Sequence, residues 1–338
     1  MLLSGNSLIR WLKSLKGMKW SPREDTPDSH LQKAGTPSMG GLGILGAATL
    51  SWLASLTLLI SGTLLVGSLG VKGWEWLAIN LFALCVLGHG ALGLADDWSK
   101  ARGRGGLSSK AKLLGQVVLG AIFLTIFLLS LSATTIGPGS MAASLRFSPY
   151  VWAICLLLLI GTSNAVNLTD GIDGLAAGLS VQVGVVFGVL MLEKSPTGLF
   201  GVSATMFWLA LGGACLGFLA FNKNPAKVFM GDTGSLALGA ALGAGAILTR
   251  SVFLLPFVGF VFYTEMFSVM AQVAYFKYTK KKTGEGKRIF RRAPLHHHFE
   301  LEGWSEWRVV GTFWAVNAFT TILGLILWKT GVLPHFPN

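Results

Sequence analysis

The sequence predicts an all-α, polytopic membrane protein with about nine transmembrane helices, and three observations carry that reading. Of the 338 residues, 52% are hydrophobic and only 12% charged, with a mean hydropathy of +0.61, which excludes an ordinary soluble domain. Apolar segments recur at lengths near the roughly 20 residues that cross a bilayer. The basic residues fall almost entirely into alternate loops. Lys and Arg number 27 against 15 acids, a formal net charge of +12. In such a chain the excess marks cytoplasmic loops, so nucleic acid is not expected as a partner. Cys85, Cys155 and Cys215 lie inside apolar runs without CxxC spacing and read as small core residues.

Residues 1–39 are polar and basic. Leu8, Trp11, Leu12 and Leu15 stand at helical spacing, with Lys13, Lys16 and Lys19 between them. This predicts a cytoplasmic, interfacial amphipathic helix followed by a loop. Residues 40–338 read as one transmembrane catalytic domain, with apolar segments at 40–66, 74–95, 113–132, 149–166, 175–192, 200–221, 235–249, 252–275 and 309–328. The seventh is short and rich in Gly and Ala, so it is expected to form a tight hairpin with its neighbour across Arg250-Ser251, or to tilt. If the segments alternate, one set of loops holds 22 Lys and Arg, whereas the other holds Lys72, Arg146, Lys194, Arg250 and Lys329. The split assigns the first set to the cytoplasm.

One polar interruption organises the chain, Asn164-Ala165-Val166-Asn167-Leu168-Thr169-Asp170-Gly171-Ile172-Asp173-Gly174. It lies where one apolar segment ends and the next begins, and ionised groups there need a reason. On a helix or its first turn Asp170 and Asp173 would share a face, while Gly171 and Gly174 would leave room for a ligand beside the backbone. Two helix-capping aspartates in a re-entrant turn are the plainer alternative.

Three further motifs fall into the same set of loops. Segment two ends in Ala95-Asp96-Asp97-Trp98-Ser99-Lys100. Adjacent aspartates diverge from a helix, so they suit two jobs better than one shared proton, such as activating a phosphate or hydroxyl and supporting a cation or lysine. Segment six runs into Asn222-Lys223-Asn224-Pro225-Ala226-Lys227-Val228-Phe229-Met230-Gly231-Asp232-Thr233-Gly234-Ser235. There Asp232 could bind a metal or cap the next helix. The last basic loop carries Ala293-Pro294-Leu295-His296-His297-His298-Phe299-Glu300. Consecutive side chains on a helix cannot all reach one ion, so imidazoles meeting phosphates or a pyrimidine ring are the better reading. Ahead of the first span, Lys33-Ala34-Gly35-Thr36-Pro37-Ser38-Met39-Gly40-Gly41 supplies a lysine and backbone amides without a Walker A ending.

Scattered carboxylates suit Mg²⁺, which takes few protein ligands and completes its shell from substrate phosphates. The combination predicts metal-assisted phosphoryl transfer at the membrane face, between a soluble substrate and one in the bilayer. A secondary transporter would place its acids near the bilayer midplane, whereas only Glu265 lies mid-segment, and an interhelical hydrogen bond explains it.

At these motifs the chain closely resembles the phospho-N-acetylmuramoyl-pentapeptide transferases, within the polyprenyl-phosphate N-acetylhexosamine-1-phosphate transferases. The resemblance runs from about Ser29 to the last span and rests on residues 33–41, 95–100, 164–175, 222–235 and 293–300. It implies transfer of phospho-MurNAc-pentapeptide from UDP-MurNAc-pentapeptide to undecaprenyl phosphate, yielding lipid I and UMP, at the cytoplasmic face of a bacterial inner membrane. It also implies Asp232 as the Mg²⁺ ligand and Asp96 as the acid acting on the lipid phosphate, with Asp97 alongside. Lys33, Asn167, Asp170, Gly171, Ile172, Asp173, Asn222, Phe229, Gln272 and His297 would line the nucleotide-sugar pocket, the uracil stacking near Phe229. His296, with a catalytic part, and His298 would stand near the diphosphate. Transfer of GlcNAc-1-phosphate from UDP-GlcNAc is the alternative within the same fold. A homodimer is a candidate assembly. The chain departs from the family at its start, where residues 1–33 contain no spanning helix and the family has one; a start codon assigned downstream of the true one would explain the difference.

Overall fold

The computed structural model describes residues 1–15, 33, 35–66, 73–135, 148–194 and 199–333. Its helices are α1 (Gly5–Ser14), α2 (Gly41–Val66), α3 (Gly73–Ala101), α4 (Ser109–Thr135), α5 (Pro149–Thr169), α6 (Leu175–Lys194), α7 (Leu199–Asn222), α8 (Gly231–Leu248), α9 (Leu255–Val258), α10 (Phe260–Thr283), α11 (Leu295–Leu301) and α12 (Glu306–Lys329). Eight of them, α2 to α8 and α12, are long and apolar enough to cross a membrane.

The eighth expected segment, 252–275, is a broken element. Pro256 opens α9, Gly259 interrupts the run, and α10 continues past the apolar stretch to Lys280, Lys281 and Lys282. The tight hairpin before it is present. Arg250 adopts a left-handed φ of 53°, and the Ser251 N–H donates to the Ala246 carbonyl at 2.8 Å.

Short α8 is the centre of the bundle. Every residue from Thr233 to Leu248 is buried, and α3 and α5 form its broadest contacts. Small residues make this possible. A Cβ on Gly239 would fall 2.5 Å from Ser163 Cα, and one on Gly93 would fall 2.1 Å from the Asp232 carbonyl oxygen. The helices therefore meet backbone to backbone, with no large side chain between them. Side-chain hydrogen bonds pin two further pairs: Trp52 Nε1 donates to Ser203 Oγ at 3.0 Å, and Asn317 Nδ2 to Gln182 Oε1 at 2.9 Å.

The amphipathic helix expected near the N terminus is α1, which buries Ile9 and Leu12. It docks on α2 and α7, with Gly5 against the Phe221 ring and Leu8 against Gly43. Residues 16–32, Ala34, Lys72 and Arg146 lie outside the described residues.

Candidate active site

Asp96 and Asp97 stand one turn before the end of α3 and do point apart. Asp96 Oδ1 accepts the Leu107 N–H at 2.7 Å, closing the α3–α4 loop. Its Oδ2 faces Lys100 Nζ at 2.6 Å and Lys112 Nζ at 3.4 Å. The same two ammonium groups reach Asp232 Oδ2, at 3.3 and 3.0 Å. Asn167, near the end of α5, donates to Asp232 Oδ1 at 3.1 Å and to Ser235 Oγ at 2.8 Å. Four helix ends thus converge on two carboxylates and two lysines.

Asp97 turns to the start of α8. Oδ1 accepts the Asp232 N–H at 3.1 Å, and Oδ2 accepts the Thr233 N–H at 3.0 Å and its hydroxyl at 2.7 Å. It caps a helix from outside that helix. Gly231 makes the approach possible, since its φ is +75° and a Cβ there would lie 2.6 Å from Asp97 Oδ2.

Asp96, Asp97 and Asp232 can each present a carboxylate oxygen within 4.8 Å of the others, close enough to hold a metal ion. The donor set fits a hard cation. Lys100 and Lys112, with side chains 39% and 26% exposed, now balance that charge and are the groups a cation would displace or join. Asp170 caps α5 beside this cluster. Burial and the nearby carboxylates of Asp232 and Asp97 push its pKa well above the usual carboxylate value, and a hydrogen bond from the Gly231 backbone only partly offsets them.

Asp173 belongs to a second network. Because α5 stops at Thr169, helical spacing does not apply across Asp170 and Asp173, and the shared face expected from the sequence does not form. Asp173 Oδ1 pairs with Lys33 Nζ at 2.9 Å, while Oδ2 accepts the Ala226 N–H at 2.9 Å and Asn224 Nδ2 at 3.0 Å. Glu306, in the first turn of α12, completes the group. Asn222 braces it from below, accepting the Gly174 N–H at 3.0 Å and donating to the Val228 carbonyl at 2.9 Å. Phe229 is half-buried, and its backbone exchanges hydrogen bonds with Pro37 and Gly40 of the lysine loop, both at 2.8 Å. Ile172 is buried.

The three histidines do three different things. His296 is fully buried. Its backbone N–H donates to Glu265 Oε1 at 3.1 Å and its Nδ1 stands 3.3 Å from Glu265 Oε2, so the mid-segment carboxylate is the interhelical fastener expected of it. The same ring fills the space beside Gly171 that the sequence left for a ligand: a Cβ on Gly171 would lie 2.3 Å from His296 Nε2. His297 Nδ1 meets Glu300 Oε2 at 2.8 Å. Burial draws the His297 pKa down to about 4, against the opposing pull of Glu300. His298 Nδ1 accepts the Arg291 N–H at 3.3 Å. Gln272 clasps the loop before them, bonding Ile289 N, Phe290 N and the Phe290 carbonyl at 2.9–3.0 Å. No hydrogen bond described for Gln272 joins it to the acid cluster.

Sequence reasoning missed Lys112, Thr233, Asn224 and Glu306. Lys112 carried no distinguishing signal, since it is one of five basic residues in the loop at 96–112, just ahead of the apolar segment 113–132. Glu306 carried none beyond the ordinary acid of a helix's first turn.

A family model described as glycosyl transferase family 4 matches residues 78–250. The phospho-N-acetylmuramoyl-pentapeptide-transferase of Bacillus pumilus (strain SAFR-032) is 41% identical over 323 residues, covering 94% of this chain and 91% of the relative. That of Halalkalibacterium halodurans is 43% identical over 327 residues, covering 95% and 93%. That of Bacillus subtilis (strain 168) is 41% identical over 322 residues, covering 95% and 92%.

Proposed function

Because the chain belongs to the phospho-N-acetylmuramoyl-pentapeptide transferases of glycosyl transferase family 4, we propose that it transfers phospho-MurNAc-pentapeptide from UDP-MurNAc-pentapeptide to undecaprenyl phosphate. The products are lipid I and UMP, and the process served is peptidoglycan synthesis. The observation that carries the reading is the meeting of Asp96 and Asp232 with Lys100 and Lys112 at the ends of apolar helices. Such a place lets a soluble diphosphate and a lipid phosphate approach one centre.

In this reading residues 40–338 form the catalytic domain, residues 1–39 are a cytoplasmic segment, and the site opens to the cytoplasm from a bacterial inner membrane. The 22 basic residues in one set of loops support that orientation. A lipid phosphate oxygen bonds to the β-phosphorus of the nucleotide sugar, and the bond to the UMP oxygen breaks. Direct attack and passage through an aspartyl phosphate both satisfy that balance. Asp96 acts on the lipid phosphate. Lys100 and Lys112 offset the charge of the phosphates brought together. Asn167 and the cap from Asp97 hold Asp232 in place, which is the positioning this chemistry needs. Asp232, with Asp96 beside it, would hold Mg²⁺, which would supply charge neutralisation for the donor's diphosphate as UMP leaves. The turn 170–174 with Lys33, Asn222 and Phe229 lines the nucleotide-sugar pocket, and His296 supports that turn from beneath.

The test is to incubate purified protein with Mg²⁺, undecaprenyl phosphate and labelled UDP-MurNAc-pentapeptide. Label should move to a lipid product as UMP appears, and chelator should stop it. Transfer from UDP-GlcNAc in preference would assign the chain a different donor.

A further inference from the structure

We infer that Glu306 is a positioning residue that presets Lys33 and the Asp173 turn as a wall of the nucleotide-sugar pocket, an inference that rests on the function proposed above. One carboxylate touches three separate stretches of chain. Glu306 Oε1 accepts Lys33 Nζ at 2.5 Å and the Asp173 N–H at 2.8 Å, and Oε2 accepts Asn224 Nδ2 at 2.5 Å. Those stretches are the lysine loop, the 170–174 turn and the 222–230 loop, each expected to line the pocket.

The group needs both acids. Asp173 uses Oδ2 on Ala226 and Asn224, which leaves Oδ1 for Lys33. With Glu306 added, the described residues hold two of the three ammonium hydrogens of Lys33, and the third can meet a ligand. The pairs are well sheltered: side-chain exposures are 11% for Lys33, 1% for Asp173 and 12% for Glu306. At that burial an ammonium without its acceptors is costly, so the lysine follows the carboxylates. Glu306 itself is fixed by α12, whose first turn is capped by Ser305 Oγ accepting the Arg308 N–H at 3.3 Å. A membrane helix therefore sets the position of a loop 273 residues away in sequence. A mere partner for the α12 dipole would stand in solvent and make none of these three bonds.

A wall that is set in advance lowers the cost of ordering it when substrate binds. Glu306→Ala should raise KM for UDP-MurNAc-pentapeptide by roughly tenfold, the size of one charge-assisted hydrogen bond, and change kcat by less than about twofold. Glu306→Gln keeps an acceptor for Lys33 and Asp173, so its rise should be about threefold. Lys33→Met should raise KM by itself, and adding Glu306→Ala should raise it by clearly less than it does in the wild type, because part of the carboxylate's effect passes through the lysine and the rest through its bonds to Asp173 and Asn224. KM for undecaprenyl phosphate should stay put in all of them. An active wild type whose Glu306→Gln variant keeps its KM would overturn the inference alone, as would additive effects with Lys33→Met or a loss confined to kcat. A wild type that transfers nothing overturns the functional reading, and the inference with it.

Discussion

A single oxygen of Asp97 accepts both the backbone N–H and the hydroxyl of Thr233, at 3.0 and 2.7 Å. The second acid of the pair is therefore the cap of α8, while Asp96 next to it faces the lysines. Thr233→Val removes one of these bonds and leaves the other, and should cost about 1–2 kcal/mol of stability with modest loss of turnover. Asp97→Ala strands three donors at a buried helix start and should cost about 3 kcal/mol or more, with turnover falling as Asp232 loses its anchor. Melting in detergent and turnover, taken together, check both. Equal effects from the two substitutions would remove the capping role.

The roles of Asp96 and Asp232 should separate in binding experiments. Asp232→Asn is expected to lose Mg²⁺-dependent turnover almost entirely. Asp96→Asn should lose turnover while its affinity for the nucleotide sugar holds within about threefold, since it acts on the other phosphate. Calorimetric titration with UDP-MurNAc-pentapeptide beside a turnover assay distinguishes them. A parallel drop in affinity for Asp96→Asn would place that residue on the nucleotide side.

What was legible in the sequence was whatever follows from one segment at a time. Apolar length gave α2 to α8 and α12. The adjacency of Asp96 and Asp97 gave their divergence, and Gly and Ala content gave the compact seventh segment, though not that it would be the hub. What was illegible depends on distant partners. The sequence gives no reason for Glu306 to meet Lys33, nor for Lys112 to reach Asp232, because helix packing alone joins them. The shared face expected for Asp170 and Asp173 failed for a local reason: α5 ends one residue before Asp170, so each acid falls into a separate network. The room for a ligand expected beside Gly171 is not open: its occupant is an imidazole of the chain itself, His296.

That occupant makes a size test possible. A Cβ on Gly171 would stand 2.3 Å from His296 Nε2 and 2.7 Å from Cε1. Gly171→Ala should push the imidazole or the turn aside and cut activity about tenfold or more, as overpacked buried sites do. His296→Ala in the Gly171→Ala background should recover melting temperature relative to Gly171→Ala alone, because the added methyl then has space. A double variant no more stable than Gly171→Ala would show that the contact is not what constrains the turn.

Close packing of α3 on α8 is a sharper constraint, because both sides are backbone. Gly93→Ala would bring Cβ to 2.1 Å from the Asp232 carbonyl oxygen and 2.4 Å from its carbon, and neither atom can swing away. Moving α8 from α3 separates Asp232 from Asp96, so turnover should fall further than stability, which should drop by about 1–3 kcal/mol. Gly213→Ala is the control, since no atom lies within 4 Å of its added Cβ. It should be neutral or slightly stabilising through helix propensity. Indistinguishable turnover in the two variants would mean that the helices can part without moving the acids.

Acid should destabilise the protein partly through His297, whose pKa lies near 4 because burial disfavours the charged ring. An unfolded histidine titrates near 6.5. Between those values the unfolded chain binds the proton more tightly than the folded one, so falling pH favours unfolding. The contribution is complete above about 6.5 and is lost as pH drops towards 4, a total on the order of 3 kcal/mol. At neutral pH the ring is uncharged, and its contact with Glu300 Oε2 at 2.8 Å requires the proton on Nδ1. His297→Gln keeps a donor for Glu300 and cannot titrate. Its melting temperature should therefore decline less than that of the wild type between pH 6.5 and 4.5, while the two differ little in slope from pH 7 to 8. Parallel curves across the acid range would place the pKa of the folded imidazole near its ordinary value and the ring in contact with water.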